Sequence, residues 1–184
     1  MTSYKRISKV DADIITLDQA KSWLRVSDAY DDTNIQMLID ATVTYAEKYM
    51  QLDLLTTTYE YYTRTFYTDL TFRRAVAQSV ESVEYLSNGV YTTMDTDNYT
   101  VVSTGVYSRI TDIESVPSVD ESSKAVKVTF KAGFGDTADS IPADIKFGLL
   151  SHVYYYYDNK CSGDAPTGVI DTYNNYRVIT PFYE

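Results

Sequence analysis

Ile35, Leu38, Ile39, Thr42, Val43, Ala46, Tyr49 and Met50 recur at the three-and-four spacing that lines apolar side chains along one side of a helix. The same spacing returns over residues 142–158, where Ile145, Leu149, Val153 and Tyr156 fall in line. Between the two, from Thr56 to about Gly135, the pattern changes to short strands rich in Thr and aromatics. Helix, strands, helix is a restrictive order. It predicts an α+β fold in which N-terminal helices and a C-terminal helix pack together, with an antiparallel β-region inserted between them and an extended C-terminal tail. The expected division is a single domain over 1–160, with its helical core at 16–55 and 141–160 and the β insert at about 56–135. The tail then covers 161–184.

Local signals sharpen the elements. Thr16 is a natural cap for a short helix with Leu17, Ala20 and Leu24 on one side. Asp31 or Asp32 is placed to cap the longer helix, and both put negative charge at the positive end of its dipole. The segment "DAYDDTN" lacks the alternating oxygens, the glycine and the distal glutamate of a calcium loop, so capping is the better reading. Asn88-Gly89 is a hairpin signal. Val126, Val128 and Phe130 alternate with Lys127, Thr129 and Lys131, which predicts a strand with one buried and one wet face. Five to seven short strands are expected in the insert. Pro142 suits the first turn of the following helix, where Asp144 adds favourable charge.

That helix carries "HVYYYYDNKC", which crowds the only histidine and the only cysteine around four consecutive tyrosines. On a helical wheel Tyr156 joins Ile145, Leu149 and Val153, Tyr157 falls beside Leu150, and Tyr154 beside Phe147; Tyr155 alone turns away. The apolar arc spans roughly 200°, wider than one face of a surface helix. The tyrosines therefore read as packing, within a subunit or between subunits. His152 is expected at a boundary and Cys161 as an inert thiol near the helix exit.

No chemistry is assembled by these residues. A triad needs a nucleophile beside His152, and its helical neighbours are Gly148 and Tyr156. With a single His and a single Cys the usual zinc spacings cannot be met, and no metal or cofactor is expected. "AGFGD" lacks the third glycine and the Lys-Ser/Thr of a phosphate loop and reads as a strand-ending turn. The net charge is −10, with Lys and Arg scattered, which argues against sequence-reading nucleic-acid binding. A lone cysteine excludes an intrachain disulfide and suits a reducing compartment such as the cytoplasm. The basic residues near the N-terminus precede no apolar run, and no stretch reaches the ~20 apolar residues of a membrane span. The tail is broken by Gly, Pro and Asn, yet it ends in Val178, Ile179, Pro181, Phe182 and Tyr183. An apolar-aromatic end of this kind is expected to dock on something.

The order of these features is similar to a known family. "ITLDQAKSWLRVSDAYDDTNIQMLIDATVTYAEKYMQ" resembles the opening of the bacteriophage head–tail connector (adaptor, head-completion) proteins. The matching positions are Leu17, Ala20, Lys21, Leu24, Arg25 and Val26, then Ile35, Leu38, Ile39, Ala41, Tyr45 and Glu47. "VKVTFKAGFGDTADSIPADIKFGLLSHVYYYYDN" looks like the family's second block, and "YRVITPFYE" is similar to its ending. The chain departs from the pattern at Thr42, at Asp158-Asn159-Lys160, and in lacking a final Arg.

The resemblance implies a non-catalytic virion protein, made in the host cytoplasm and located at the head–tail interface of the capsid vertex. It implies a homo-oligomeric ring, a dodecamer, between the portal protein and a tail or stopper protein. Duplex DNA would pass through without sequence-specific binding. The portal-docking segment would comprise Tyr176, Arg177, Val178, Ile179, Pro181, Phe182 and Tyr183. Subunit packing would fall to Ile35, Leu38, Ile39, Leu150, Tyr154 and Tyr157. A small-ligand or carbohydrate-binding β-module, using the tyrosine-rich insert, is the alternative, and a hydrolase built on clustered carboxylates comes third.

Overall fold

The computed structural model describes residues 2–66, 70–72, 76–103, 108–113, 117–160 and 164–178. Cys161, Ile179, Pro181, Phe182 and Tyr183, singled out above, lie outside the described residues. The chain divides into two units, one formed by Met1–Val10 with Thr56–Phe134, the other by Asp11–Leu55 with Gly135–Glu184. The inserted β-region is thus the first unit, joined by an N-terminal segment to which sequence reading assigned no element.

In the first unit, β1 (Ser3–Lys9), β2 (Thr57–Thr63), β8 (Val126–Ala132), β4 (Ala77–Ser87) and β5 (Val90–Thr93) form one sheet in that spatial order. Every neighbouring pair is antiparallel. A second sheet holds β3 (Leu70–Phe72), β7 (Ser108–Thr111) and β6 (Thr100–Ser103). The alternation expected for 126–132 is observed, and β2 repeats it, so Tyr59, Tyr61, Val126, Val128 and Phe130 join Val83, Leu70 and Ile110 in one apolar core. Strand β1 escaped prediction because nearly all its side chains are exposed, leaving no period-two burial to read. It occupies the sheet edge, where Lys5, Arg6 and Lys9 discourage further strand pairing.

Asn88-Gly89 makes the predicted two-residue hairpin, both residues in the left-handed region at φ 53° and 79°. Asp120 fixes the turn by accepting from both backbone N–H groups, at 3.0 and 2.8 Å.

The second unit is helical: α1 (Leu17–Leu24), α2 (Asp32–Met50), α3 (Ala143–Asn159) and α4 (Thr167–Asn174). Helices α1, α2 and α3 pack on one another, and α4 packs on α2 and α3. Thr16 caps α1 as expected, in a full capping box with Gln19. At α2 the expectation needs correcting. Asp31 occupies the N-cap position, but its carboxylate makes no cap bond; it accepts instead from the Tyr157 hydroxyl of α3 at 2.8 Å. Asp32 pairs with Lys21 of α1. These acids stitch helices together rather than closing a helix end. Pro142 stands just before α3, at its N-cap, rather than inside the first turn. The extended tail expected from 161 onward also contains a helix, α4, led in by Pro166.

The "AGFGD" segment is a strand exit, as expected. Gly133 ends β8 with φ 125°, and Gly135 bridges to Leu55. A Cβ at Gly135 would stand 2.3 Å from Ser140 Oγ. Phe130→Ala is expected to cost the first unit about 3–5 kcal/mol, through lost burial plus the cavity left behind. Lys131→Ala, on the wet face of the same strand, should cost under about 0.5 kcal/mol. Denaturant unfolding followed by near-UV signal checks the pair.

Candidate interaction surface

Helix α3 organises the second unit. Ile145, Gly148, Leu149, His152, Val153 and Tyr156 are buried, an arc of about 140° at 100° per residue. Tyr157 and Leu150 flank that arc, half-buried. Phe147 and Tyr154 lie opposite its centre and are 58% and 49% exposed. The predicted wheel therefore holds for the pairs 157 with 150 and 154 with 147. It needs correcting at Tyr155, which is half-buried, whereas Tyr154 is the tyrosine turned outward. Of the other expected packing positions, Ile35 and Ile39 sit inside the unit's own core and Leu38 is half-buried.

His152 is a second correction. It is wholly buried, not at a boundary. Gly148, one turn before it, leaves room for α4: a Cβ there would lie 3.4 Å from the Tyr173 ring. Tyr173 is buried over α3, with its hydroxyl 3.4 Å from His152 Nδ1. Tyr45 meets the imidazole edge-on with centroids 5.0 Å apart, and Tyr156 lies against it at 4.3 Å. His152 Nε2 has no partner, and neither does the buried Thr42 Oγ1 on α2. With no acceptor there to stabilise a second proton, burial pushes the imidazole down to about 4. It is a neutral core group.

Two stability predictions follow from these atoms. Unfolded His152 titrates near 6.5, so between about pH 6.5 and 4 the unfolded chain binds the extra proton. Stability then falls as pH drops through that window, by up to about 3 kcal/mol, and this contribution levels off below pH 4. His152→Leu should flatten that segment of the pH–stability curve measured by urea unfolding. Thr42→Val removes an orphaned buried hydroxyl and should stabilise the protein by about 1 kcal/mol in the same assay.

Two concavities mark the surface of this unit. One, of about 610 Å³, runs between α1 and α3; its walls include Ile15, Trp23, Phe147 and Leu150, with Asp18 and Lys146 among the lining side chains. Trp23 is 42% exposed and stands edge-on to Phe147, centroids 5.5 Å apart. The other, of about 670 Å³, lies along α2; it is lined by Met37, Ala41, Thr44 and Tyr45, with Asp40, Lys48 and Asp164 bringing charge. Among the described residues no three His, Cys, Asp or Glu side chains group to hold a metal ion. No helix described is long and apolar enough to cross a membrane.

The first three residues of the expected docking segment are used within the unit. The Tyr176 hydroxyl donates to the Asp144 carboxylate, 2.9 Å from each oxygen. The Arg177 guanidinium lies over the Tyr49 ring at 4.9 Å, and the Val178 N–H donates to the Met50 carbonyl at 2.9 Å. Val178 is buried, so the chain is anchored to the unit at this point. Sequence reading missed these ties because they join positions more than thirty residues apart.

The family model for "Head completion protein" matches residues 13–181. The chain belongs to the head completion protein family. Comparison with curated proteins finds no match. Among solved structures the chain is similar to a protein in the neck of an empty GTA particle computed with C6 symmetry. The TM-score is 0.79 and identity 17%, covering 98% of this chain and 97% of that one. A chain of the virion of a native gene transfer agent particle gives 0.77 at 17% identity, covering 97% of each. A chain of the native neck computed with C12 symmetry gives 0.75 at 18% identity, covering 98% and 97%. Family membership and fold therefore agree along nearly the whole chain, both units included. Thr42, where the chain departs from the pattern it resembles, carries the orphaned hydroxyl on α2.

Proposed function

We propose that this family member is a non-catalytic structural subunit of the head–tail connector of a phage-like particle. It assembles as a closed ring of twelve copies between the portal protein and a tail or stopper protein, and DNA passes through the ring. The observation that carries this reading is the fold shared, end to end, with chains from particle necks computed with C6 and C12 symmetry. The family match supports it independently.

Charge supports DNA passage. The helical unit holds six basic and sixteen acidic side chains, whereas the β unit holds ten of each, so the whole net charge of −10 belongs to the helical unit. A wall of that sign repels phosphate, which lets a duplex slide instead of sticking. Portal docking falls to Ile179, Pro181, Phe182 and Tyr183, because Tyr176, Arg177 and Val178 are engaged within the unit. A carbohydrate-binding β-module is the weaker reading. Sugars stack on open aromatic faces, but Lys124 lies over Tyr62 and Lys127 over Tyr91.

The test is truncation after Val178. Removing 179–184 should leave the melting temperature within a few degrees of the full chain and abolish incorporation into particles, read by mass spectrometry of purified virions. Normal incorporation of the truncated chain would remove the tail from the docking account. Tight duplex binding by the ring, with a steep salt dependence, would contradict a repelling channel.

A further inference from the structure

Asn88-Gly89 is the one asparagine–glycine pair in the chain. Such a pair turns a hairpin well, but it also invites a covalent rearrangement. Glycine has no side chain to obstruct its backbone nitrogen, which is therefore free to approach the preceding side-chain amide. In that reaction the Gly89 nitrogen bonds to Asn88 Cγ, the Cγ–Nδ2 bond breaks, and ammonia leaves with the Gly89 proton. Water then opens the cyclic imide at either carbonyl, giving aspartate or isoaspartate. Asn88 and Gly89 are both exposed, and a Cβ at Gly89 would meet nothing within 4 Å. The products would not suit the turn. Isoaspartate adds a methylene to the main chain of a two-residue loop whose length is set by the flanking pairs Ser87 with Val90 and Leu86 with Tyr91. Either product also sets a new carboxylate close to that of Asp120, and like charges so placed repel.

We infer that Asn88 is a site of spontaneous deamidation and that Asp120 guards it by holding the Gly89 N–H. The attacking nitrogen must lose its proton before it can bond to carbon, because its lone pair is otherwise delocalised into the peptide. Asp120 opposes that loss. One of its oxygens accepts from Gly89 N–H at 2.8 Å and the other from Asn88 N–H at 3.0 Å, so the carboxylate is gripped at both ends. A charge-assisted bond of this kind favours the protonated nitrogen, and the carboxylate repels the negative charge that would develop there. Carboxylates are far too weak as bases to remove an amide proton themselves. The guard is held in place by its own backbone: Asp120 N–H donates to the Leu86 carbonyl at 3.0 Å. Its segment is tied down further where Leu86 N–H donates to the Ala125 carbonyl at 2.8 Å and the Tyr91 hydroxyl to the Lys124 carbonyl at 2.6 Å. The Asn88 side-chain amide, for its part, donates to Ser87 Oγ at 3.4 Å. This inference is independent of the ring reading. It concerns how long the β unit keeps its chemical form.

Peptide mapping by mass spectrometry tests this on the whole folded chain. The protein is held in mildly alkaline buffer and sampled over weeks for the amide-to-acid mass gain at Asn88 and for isoaspartate. Asp120→Ala should convert about tenfold faster than the parent, the rate ratio expected from one charge-assisted hydrogen bond near the surface. Asp120→Asn, which keeps the shape and loses the charge, should fall between the two. In urea, where the contact is gone, all three chains should convert at one rate, faster than the folded parent. Near-UV circular dichroism matching the parent's identifies the variants that fold, and if Asp120→Ala does not, Asp120→Asn carries the comparison. A folded variant that converts at the parent's rate would overturn the inference, as would a folded parent that converts as fast as its own unfolded chain.

Discussion

The closure of α4 over α3 and α2 is the contact on which the helical unit depends. Tyr173 packs over α3 at Gly148, where a Cβ would stand in ordinary contact at 3.4 Å, and covers His152, a polar ring buried among Tyr45, Tyr156 and Tyr173. From that point the chain is led by Tyr176, Arg177 and Val178 back across α3 and α2, so the last described residue is fixed to the end of α2. The polar burial that makes His152 costly at low pH is thus part of the arrangement that holds Val178 at the end of α2.

The two units divide the physical work differently. The β unit balances its charge and packs Tyr59, Tyr61, Phe130 and Val83 into its own core. Its ionic contacts include the half-buried pair of Lys127 with Glu84 at 2.7 Å and the exposed pair of Lys131 with Glu81 at 3.4 Å, the latter worth little in water. The helical unit carries the excess acid and the exposed aromatic side chains Trp23, Phe147 and Tyr154. Self-repulsion among its carboxylates opposes close approach of copies, so apolar burial must dominate any contact between them. In a ring, that balance would make association sensitive to single aromatic residues and to salt.

Much of the fold was legible because its strongest signals are periodic. The α2 stripe, the 126–132 alternation, the Thr16 cap and the Asn88-Gly89 turn each depend on residues close in sequence, and each is present. What was illegible depends on distant partners. Nothing near Asp31 indicates that its carboxylate will serve Tyr157 rather than its own helix. Strand β1 has no buried face to read, α4 is too short to announce itself between Pro166 and Asn175, and the burial of His152 is set by a tyrosine 21 residues away. For the surface, the wheel of α3 correctly paired Tyr154 with Phe147, but only the positions of α1, α2 and α4 decide which pair faces outward.

The central claim is that copies of this chain close into a ring at the head–tail interface. Cryo-electron microscopy of intact particle necks tests it most directly, if the symmetry is determined from the images rather than imposed. The account predicts a twelve-fold ring of this fold around the DNA path. A neck in which the chain is single-copy, or stands apart from its neighbours, would contradict it.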